Sequence, residues 1–153
     1  MTTTAAPRSY SIKEAAALTG LPATTLRYYE QIGVISPISR GASSKHRVYE
    51  EADLDQLMSI ACLSATGMSV TDMRQYMANA RRGADAAVEQ QRLLEEQRRR
   101  LATEAEAIAL RERYVGLKVG YWQAVAAGDP ARAQEIAAQA SALADELRRV
   151  GKD

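Results

Sequence analysis

Thr24, Thr25, Leu26, Arg27, Tyr28, Tyr29 and Glu30 run consecutively and concentrate the polar chemistry of this chain. An arginine presents a forked set of donors suited to guanine edges and phosphate oxygens. Tyrosine and threonine hydroxyls add further phosphate contacts. On a helix, successive side chains point about 100° apart, so Tyr28 and Tyr29 cannot both face a core and one stands outside. The segment has the inventory of a helix that reads a DNA groove.

Such a helix needs neighbours to hold it. Ser11 and Glu14 stand at the S-x-x-E spacing of a capping box, and the small Ala15 and Ala16 permit a close helix crossing. Gly20 suits the left-handed turn that ends a helix, and Pro22 suits the entry of the next. Leu21, Leu26 and Ile32 supply apolar contacts between the two. The pattern predicts a helix-turn-helix with the second helix as reader, and Ser11, Thr24, Thr25, Arg27 and Tyr28 as candidate DNA contacts. Residues 34–49 have no helical period and contain Pro37, Gly41, Ser43 and Ser44. Val34, Ile35 and Ile38 are expected to pair with Val48 and Tyr49 as two short strands of a wing. Arg40, Lys45, His46 and Arg47 would stand at or near its tip.

The run from Tyr10 to Tyr49 resembles the MerR family of bacterial transcription regulators. The pieces that carry the resemblance are YSIKEAAALTGLPATTLRYYEQIGVISP and the later RVY, with LRYYE followed by IGVISP as the specific signal. EEADLDQLMSIACLSATGMSV resembles the family's third helix, turn and start of the fourth, and a long heptad helix follows. The resemblance covers roughly residues 10–126. It implies a mostly α fold: a winged helix-turn-helix DNA-binding domain, a long dimerisation coiled-coil helix and a short C-terminal helix. It implies that Arg27 and Tyr28 meet DNA, that Tyr29 is partly packing, and that Arg40, Lys45, Arg47 and Tyr49 belong to a wing along the phosphate backbone. The wing departs from the usual G-Y-R-x-Y ending, with Lys45 and His46 where glycine and an aromatic usually sit. The implied action is that of a homodimer on double-stranded promoter DNA. It bends and untwists the promoter in response to an effector so that RNA polymerase can engage.

The chain has 153 residues and 46% hydrophobic content, which suits one modest globular unit plus an extended element. Net charge is only +1. Residues 1–50, however, carry Arg8, Lys13, Arg27, Arg40, Lys45 and Arg47 against Glu14, Glu30 and Glu50, a basic head on a near-neutral remainder. No apolar run is long enough to span a membrane, and Met1 to Pro7 lacks the plan of a signal peptide. A cytoplasmic location without a membrane partner is expected. One cysteine, Cys62, excludes an internal disulfide framework. His46 has no second histidine or cysteine near it, so no metal site is expected, nor any cofactor. Without a paired-carboxylate pocket, a Ser/His/Asp set or a glycine-rich phosphate loop, an enzyme is not expected.

Glu51 to Thr66 predicts a helix with Leu54, Leu57, Met58, Ala61 and Ala65 on one face. Ser69 starts another with Val70, Met73 and Met77, which ends at Arg81, Arg82 and Gly83. From Ala84 to Ala127 there is no proline, and Ala87, Leu94, Leu101, Ile108, Val115 and Trp122 recur every seven residues. That period predicts a coiled coil, whose stripe needs a partner. Leu94, Leu101, Ile108 and Val115 are the candidate dimerisation positions. Gly128, Asp129 and Pro130 break the chain and restart it. Ala131 to Val150 then reads as one amphipathic helix with Ile136, Ala140, Leu143 and Leu147 on one side, packing on the coil or on the dimer mate. The expected division is a DNA-binding domain over 10–82, a coiled-coil helix over 84–127 and a C-terminal helix over 130–150.

Cys62 has two readings: a buried small hydrophobe, or a sensor thiol. The second comes from resemblance to a family subgroup that responds to aldehydes and other electrophiles in stress responses. That subgroup carries a lone cysteine just before a turn matched here by Gly67, Met68 and Ser69. Tyr114, Lys118, Tyr121 and Trp122 match its tail. Tyr114, Tyr121 and Trp122 also invite a pocket for an apolar or cationic small molecule, or simply packing for the last helix. The alternative to an effector-responsive regulator is an effector-independent architectural protein or repressor with the same head and dimer.

Overall fold

The computed structural model describes residues 6–151; the part of the N-terminal reading that concerns residues 1–5 lies outside them. Helix α1 (Ile12–Thr19) begins where Ser11, in extended backbone, accepts the Glu14 N–H on Oγ at 3.2 Å. It ends at Gly20, whose φ of +74° only glycine adopts freely, with the Gly20 N–H donated to the Ala16 carbonyl. The Thr19 hydroxyl donates to the Ala15 carbonyl and accepts the Leu21 N–H, which fixes the turn into α2 (Ala23–Gln31).

The wing is built differently from the expected pair of strands. Val34, Ile35 and Ile38 are buried in irregular backbone. Their donors are already spent: Val34 and Ile35 N–H both go to the Tyr29 carbonyl, and Ile38 N–H goes to the Glu30 carboxylate. Pro37 has no N–H to offer. What remains of the wing is one antiparallel bridge, Arg40 to Arg47. Tyr49 and Glu50 form β2 (Tyr49–Glu50) and pair instead with β1 (Ser9–Tyr10), so the wing's return strand is tied to the segment before α1.

Glu50 also starts α3 (Glu51–Ala65). Its side chain accepts from the Asp53 backbone while the Asp53 carboxylate takes the Glu50 N–H at 2.9 Å, a reciprocal capping box absent from the sequence reading. Leu57 and Ile60 are buried, with Leu54 and Leu63 packed beside them. Met58 and Ala65, expected on the inner face, are exposed, because the buried stripe is centred on Leu57 and Ile60. Helix α4 (Val70–Arg82), capped by Ser69, buries Met73 and Met77. These side chains join Ala15, Leu26, Tyr29 and Tyr49 in one core.

A short 3-10 turn (Gly83–Ala86) leads into α5 (Ala87–Ala126), a helix of 40 residues. Across the joint, Gln75 donates to Asn79, Asn79 to Gln90, and Gln90 to the Tyr76 carbonyl, at 2.8, 3.1 and 3.0 Å. Asn79 is 2% exposed, so this amide chain satisfies a buried polar group. The chain divides into two compact units, Met1–Leu94 and Glu95–Asp153.

In the second unit, Asp129 caps α6 (Pro130–Ala142) by accepting the Arg132 N–H at 3.0 Å. The expected single helix over Ala131–Val150 is two: Leu143 turns inward, its N–H shortens to an i−3 bond with Ala140, and α7 (Ala144–Val150) follows. α6 packs against α5 at Gly120, where a Cβ would stand 3.5 Å from Ile136 Cδ1, an ordinary contact. Arg111 donates to the Val150 carbonyl and draws α7 back to α5. Leu110, Leu117, Tyr121 and Ala124 mark the covered side of α5. The heptad stripe points elsewhere.

Replacing Asn79 with alanine strands both glutamine partners at the α4–α5 joint. A loss of about 1–3 kcal/mol is expected in urea unfolding; a loss confined to a few tenths would mean that the amide chain does not hold the joint.

Candidate nucleic-acid interface

Three elements converge on a cleft of about 290 Å3: the start of α1, the exposed side of α2 and the wing. Ser11, Lys13, Arg27, Arg40, His46 and Arg47 line it. Five of these are basic residues, and the α1 N-terminus adds its positive dipole end, so the cleft suits an anion. Arg27 and Tyr28 are exposed on α2, while Tyr29, on the next position round the helix, is 6% exposed and packs in the core. The two rings lie 6.2 Å apart. Thr24 is exposed and Thr25 half-buried at the front of the same helix.

Glu30 holds this arrangement. One carboxylate oxygen accepts from Arg47 Nε at 2.6 Å and the other from the Ile38 N–H at 2.9 Å. Burial alone would push the Glu30 carboxyl up. The hydrogen bonds from Arg47 and Ile38, with the charges of Arg47 and Arg40, outweigh it and hold the pKa below its usual 4.5. Arg47, expected as a phosphate clamp, therefore spends its Nε on Glu30 and fixes the wing against the reading helix while lining the cleft. Glu30 was missing from the sequence-predicted site although it closes the LRYYE motif.

The wing turn is closed by Gly41 N–H to the His46 carbonyl and Lys45 N–H to the Gly41 carbonyl, and Arg40 donates to the Lys45 carbonyl. Lys45 has φ of +59°, the only positive value at a non-glycine among the described residues. A β-carbon in that region costs about 1 kcal/mol. Lys13 and His46 join the cleft beyond the residues expected there. Lys13 is legible as the second residue of α1, but the placing of His46 depends on the wing's bend.

Tyr49 does not belong to the interface. It is fully buried, packs in the core, and its hydroxyl finds no partner among the described residues. Burial raises its pKa above 10.0. Its place in β2 against Tyr10 turns the ring inward.

Elsewhere, Cys62 is exposed on α3 rather than a buried small hydrophobe; it follows Met58 by one turn on an outward face. Leu94, Leu101, Ile108, Val115 and Trp122 are 37%, 38%, 54%, 60% and 65% exposed, one apolar position every seven residues along α5. Tyr114, Tyr121 and Trp122 do not form one pocket. Lys118 covers the Tyr114 ring at 5.4 Å, Tyr121 lies toward α6, and Trp122 stands in the stripe, one position and so about 100° away. Among the described residues no three His, Cys, Asp or Glu side chains group as metal ligands, and no helix is long and apolar enough to cross a membrane.

Residues 10–80 match the family model described as MerR HTH family regulatory protein. An uncharacterized HTH-type transcriptional regulator of Haemophilus influenzae (strain ATCC 51907 / DSM 11121 / KW20 / Rd) is 30% identical over 118 residues, covering 75% of this chain and 84% of the relative. YyaN, an uncharacterized HTH-type transcriptional regulator of Bacillus subtilis (strain 168), is 40% identical over 68 residues. That match covers 44% of this chain and about half, 49%, of the relative. The crystal structure of HiNmlR, a MerR family regulator lacking the sensor domain and bound to promoter DNA, superposes with a TM-score of 0.62 at 27% identity. It covers 79% of this chain and 96% of that one. The chain belongs to the MerR family of DNA-binding transcription regulators. These relatives are regulators, not enzymes.

Glu30→Gln keeps the shape and removes the charge. At neutral pH it is expected to cost about 2 kcal/mol. A lowered folded pKa stabilises above the unfolded value and is lost as pH falls, so the gap from wild type should narrow below pH 4.5 in thermal melts. Tyr49→Phe removes only an unpartnered hydroxyl; unchanged or higher stability and unchanged DNA affinity are expected, and a large affinity loss would put Tyr49 back in the interface.

Proposed function

We propose that this chain is a homodimeric, effector-responsive promoter regulator. In this reading the head over 10–82 binds DNA, the helix over 84–127 pairs with a second copy, and the segment over 130–150 braces that helix. The observation that carries it is the cleft where Lys13, Arg27, Arg40, His46 and Arg47 converge beside an exposed Tyr28. Arg27 and Tyr28 meet the groove and adjacent phosphates, and Thr24 and Thr25 stand at the front of the same helix. Arg40 and Lys45 grip the backbone from the wing. The exposed heptad stripe supports pairing of two copies, because it is too long and apolar to stay in water. HiNmlR, similar over most of its length, is described as bound to promoter DNA, which supports the same use of this head. Two linked heads would bend and untwist a near-palindromic element so that RNA polymerase engages, in the cytoplasm where the promoter lies.

The exposure of Cys62 favours a second reading of the signal, reaction of that thiol with an electrophile. Run-off transcription from the chain's own upstream promoter, with and without a short aldehyde, would test it: induction lost in Cys62→Ser supports the thiol, and induction kept in the variant removes it.

For the head itself, Arg27→Ala is expected to weaken operator binding at least tenfold and to lower the slope of log affinity against log salt by about one. Wild-type binding that is flat in salt would contradict the phosphate-gripping cleft.

A further inference from the structure

His46 is the only histidine of the chain, and it stands in the basic cleft of the head. Histidine is the side chain whose ordinary charge change falls between pH 5 and 8. Lysine and arginine stay charged through that range. The cleft therefore holds four fixed cations, Lys13, Arg27, Arg40 and Arg47, and one group that can become a fifth. His46 occupies the wing position where the family usually has an aromatic, so this fifth group belongs to the chain rather than to the fold.

The wing holds the residue by its backbone. The His46 N–H donates to Ser44 Oγ at 3.3 Å, and the His46 carbonyl accepts the Gly41 N–H at 2.9 Å. The side chain is exposed, and no hydrogen bond to the imidazole is made among the described residues. The groups around it are of one sign. α1 brings Lys13, α2 brings Arg27, and the wing brings Arg40 and Arg47, with Lys45 next to His46 in the chain. Glu30 of α2 has both oxygens engaged, one by Arg47 and one by the Ile38 N–H. No carboxylate and no residue of β1 or β2 lines the cleft. A charged imidazole there has no acidic partner in the free protein, and a phosphate oxygen supplies one.

We propose that His46 is a proton-linked phosphate ligand. As the cleft receives a DNA phosphate, the imidazole takes a proton from solvent and both ring nitrogens become donors. This rests on the DNA-binding reading above. Linkage fixes the sign: a group that binds more protons in the complex than in the free protein strengthens binding as pH falls. The head then grips DNA more tightly at pH 6 than at pH 8. This response lies in the reading head itself and is separate from any signal received at Cys62.

A single histidine gives a single imidazole Cε1–H signal by NMR, so the group can be followed without labelling by mutation. Its titration midpoint is measured in the full-length protein, alone and saturated with a duplex from the chain's own upstream promoter. The duplex is expected to raise the midpoint by about one pH unit. Fluorescence anisotropy with the same duplex at constant salt should show affinity rising about fivefold for each engaged head from pH 8 to pH 6. His46→Gln cannot gain the charge, so its affinity should change less than about twofold over that range. His46→Arg, permanently charged, should bind more tightly at pH 8 than His46→Gln does, again with a flat profile. A midpoint unmoved by DNA, or a pH dependence kept in full by His46→Gln, would overturn the proposal. Binding that is present but equal at pH 8 and pH 6 strikes the proton linkage alone; a duplex bound at neither pH strikes the DNA-binding reading and this proposal with it.

Discussion

A single carboxylate sits among the basic groups of this head. Lys13, Arg27, Arg40 and Arg47 gather around one small cleft, and like charges so placed repel. Glu30 offsets that repulsion locally and uses both oxygens to do it, one on a guanidinium from the far side of the wing and one on a backbone N–H at its near side. The reading helix and the wing are therefore one rigid piece before any DNA arrives. Pre-organisation of this kind lowers the cost of binding, since the wing does not have to be ordered on contact. The cleft that results keeps an excess of positive charge, which suits an anion.

The long helix has the opposite problem. Its charge is solved by neighbours three residues along, as in the Glu95–Arg98 and Glu96–Arg99 pairs, which are exposed and contribute little. Its apolar surface is not solved within one chain. α6 and α7 lie along the side marked by Leu110, Leu117, Tyr121 and Ala124. The stripe from Leu94 to Trp122 is left open. A helix covered on one side by its own chain and apolar at every seventh position on the other fits the pairing proposed above.

Several helix ends were readable because they rest on local chemistry: Ser11, Ser69 and Asp129 cap through their own side chains, and Gly20 and Gly128 turn the backbone where a β-carbon hinders it. The wing was not, because its donors are claimed over distance. Nothing near Val34, Ile35 or Ile38 in sequence announces that Tyr29 and Glu30 will take their N–H groups, or that Tyr49 will leave the wing to pair with Tyr10. In the site, Arg27 and Tyr28 were legible from type and helical position. The second task of Arg47 and the burial of Tyr49 depend on contacts 17 and 39 residues away along the chain. The division of Tyr121 from Trp122 was legible in principle, since neighbours on a helix face apart. The break at Leu143 carries no glycine or proline and follows from burial alone.

The central claim is that two copies join along the α5 stripe and so present two heads to one DNA element. Sedimentation equilibrium of the full-length protein, alone and with Ile108→Glu, tests it most directly. A dimer is expected for wild type and a folded monomer for the variant, because a carboxylate in the middle of the stripe cannot be buried unpaired. A wild-type monomer at micromolar concentration, or a variant that dimerises as tightly as wild type, would contradict it.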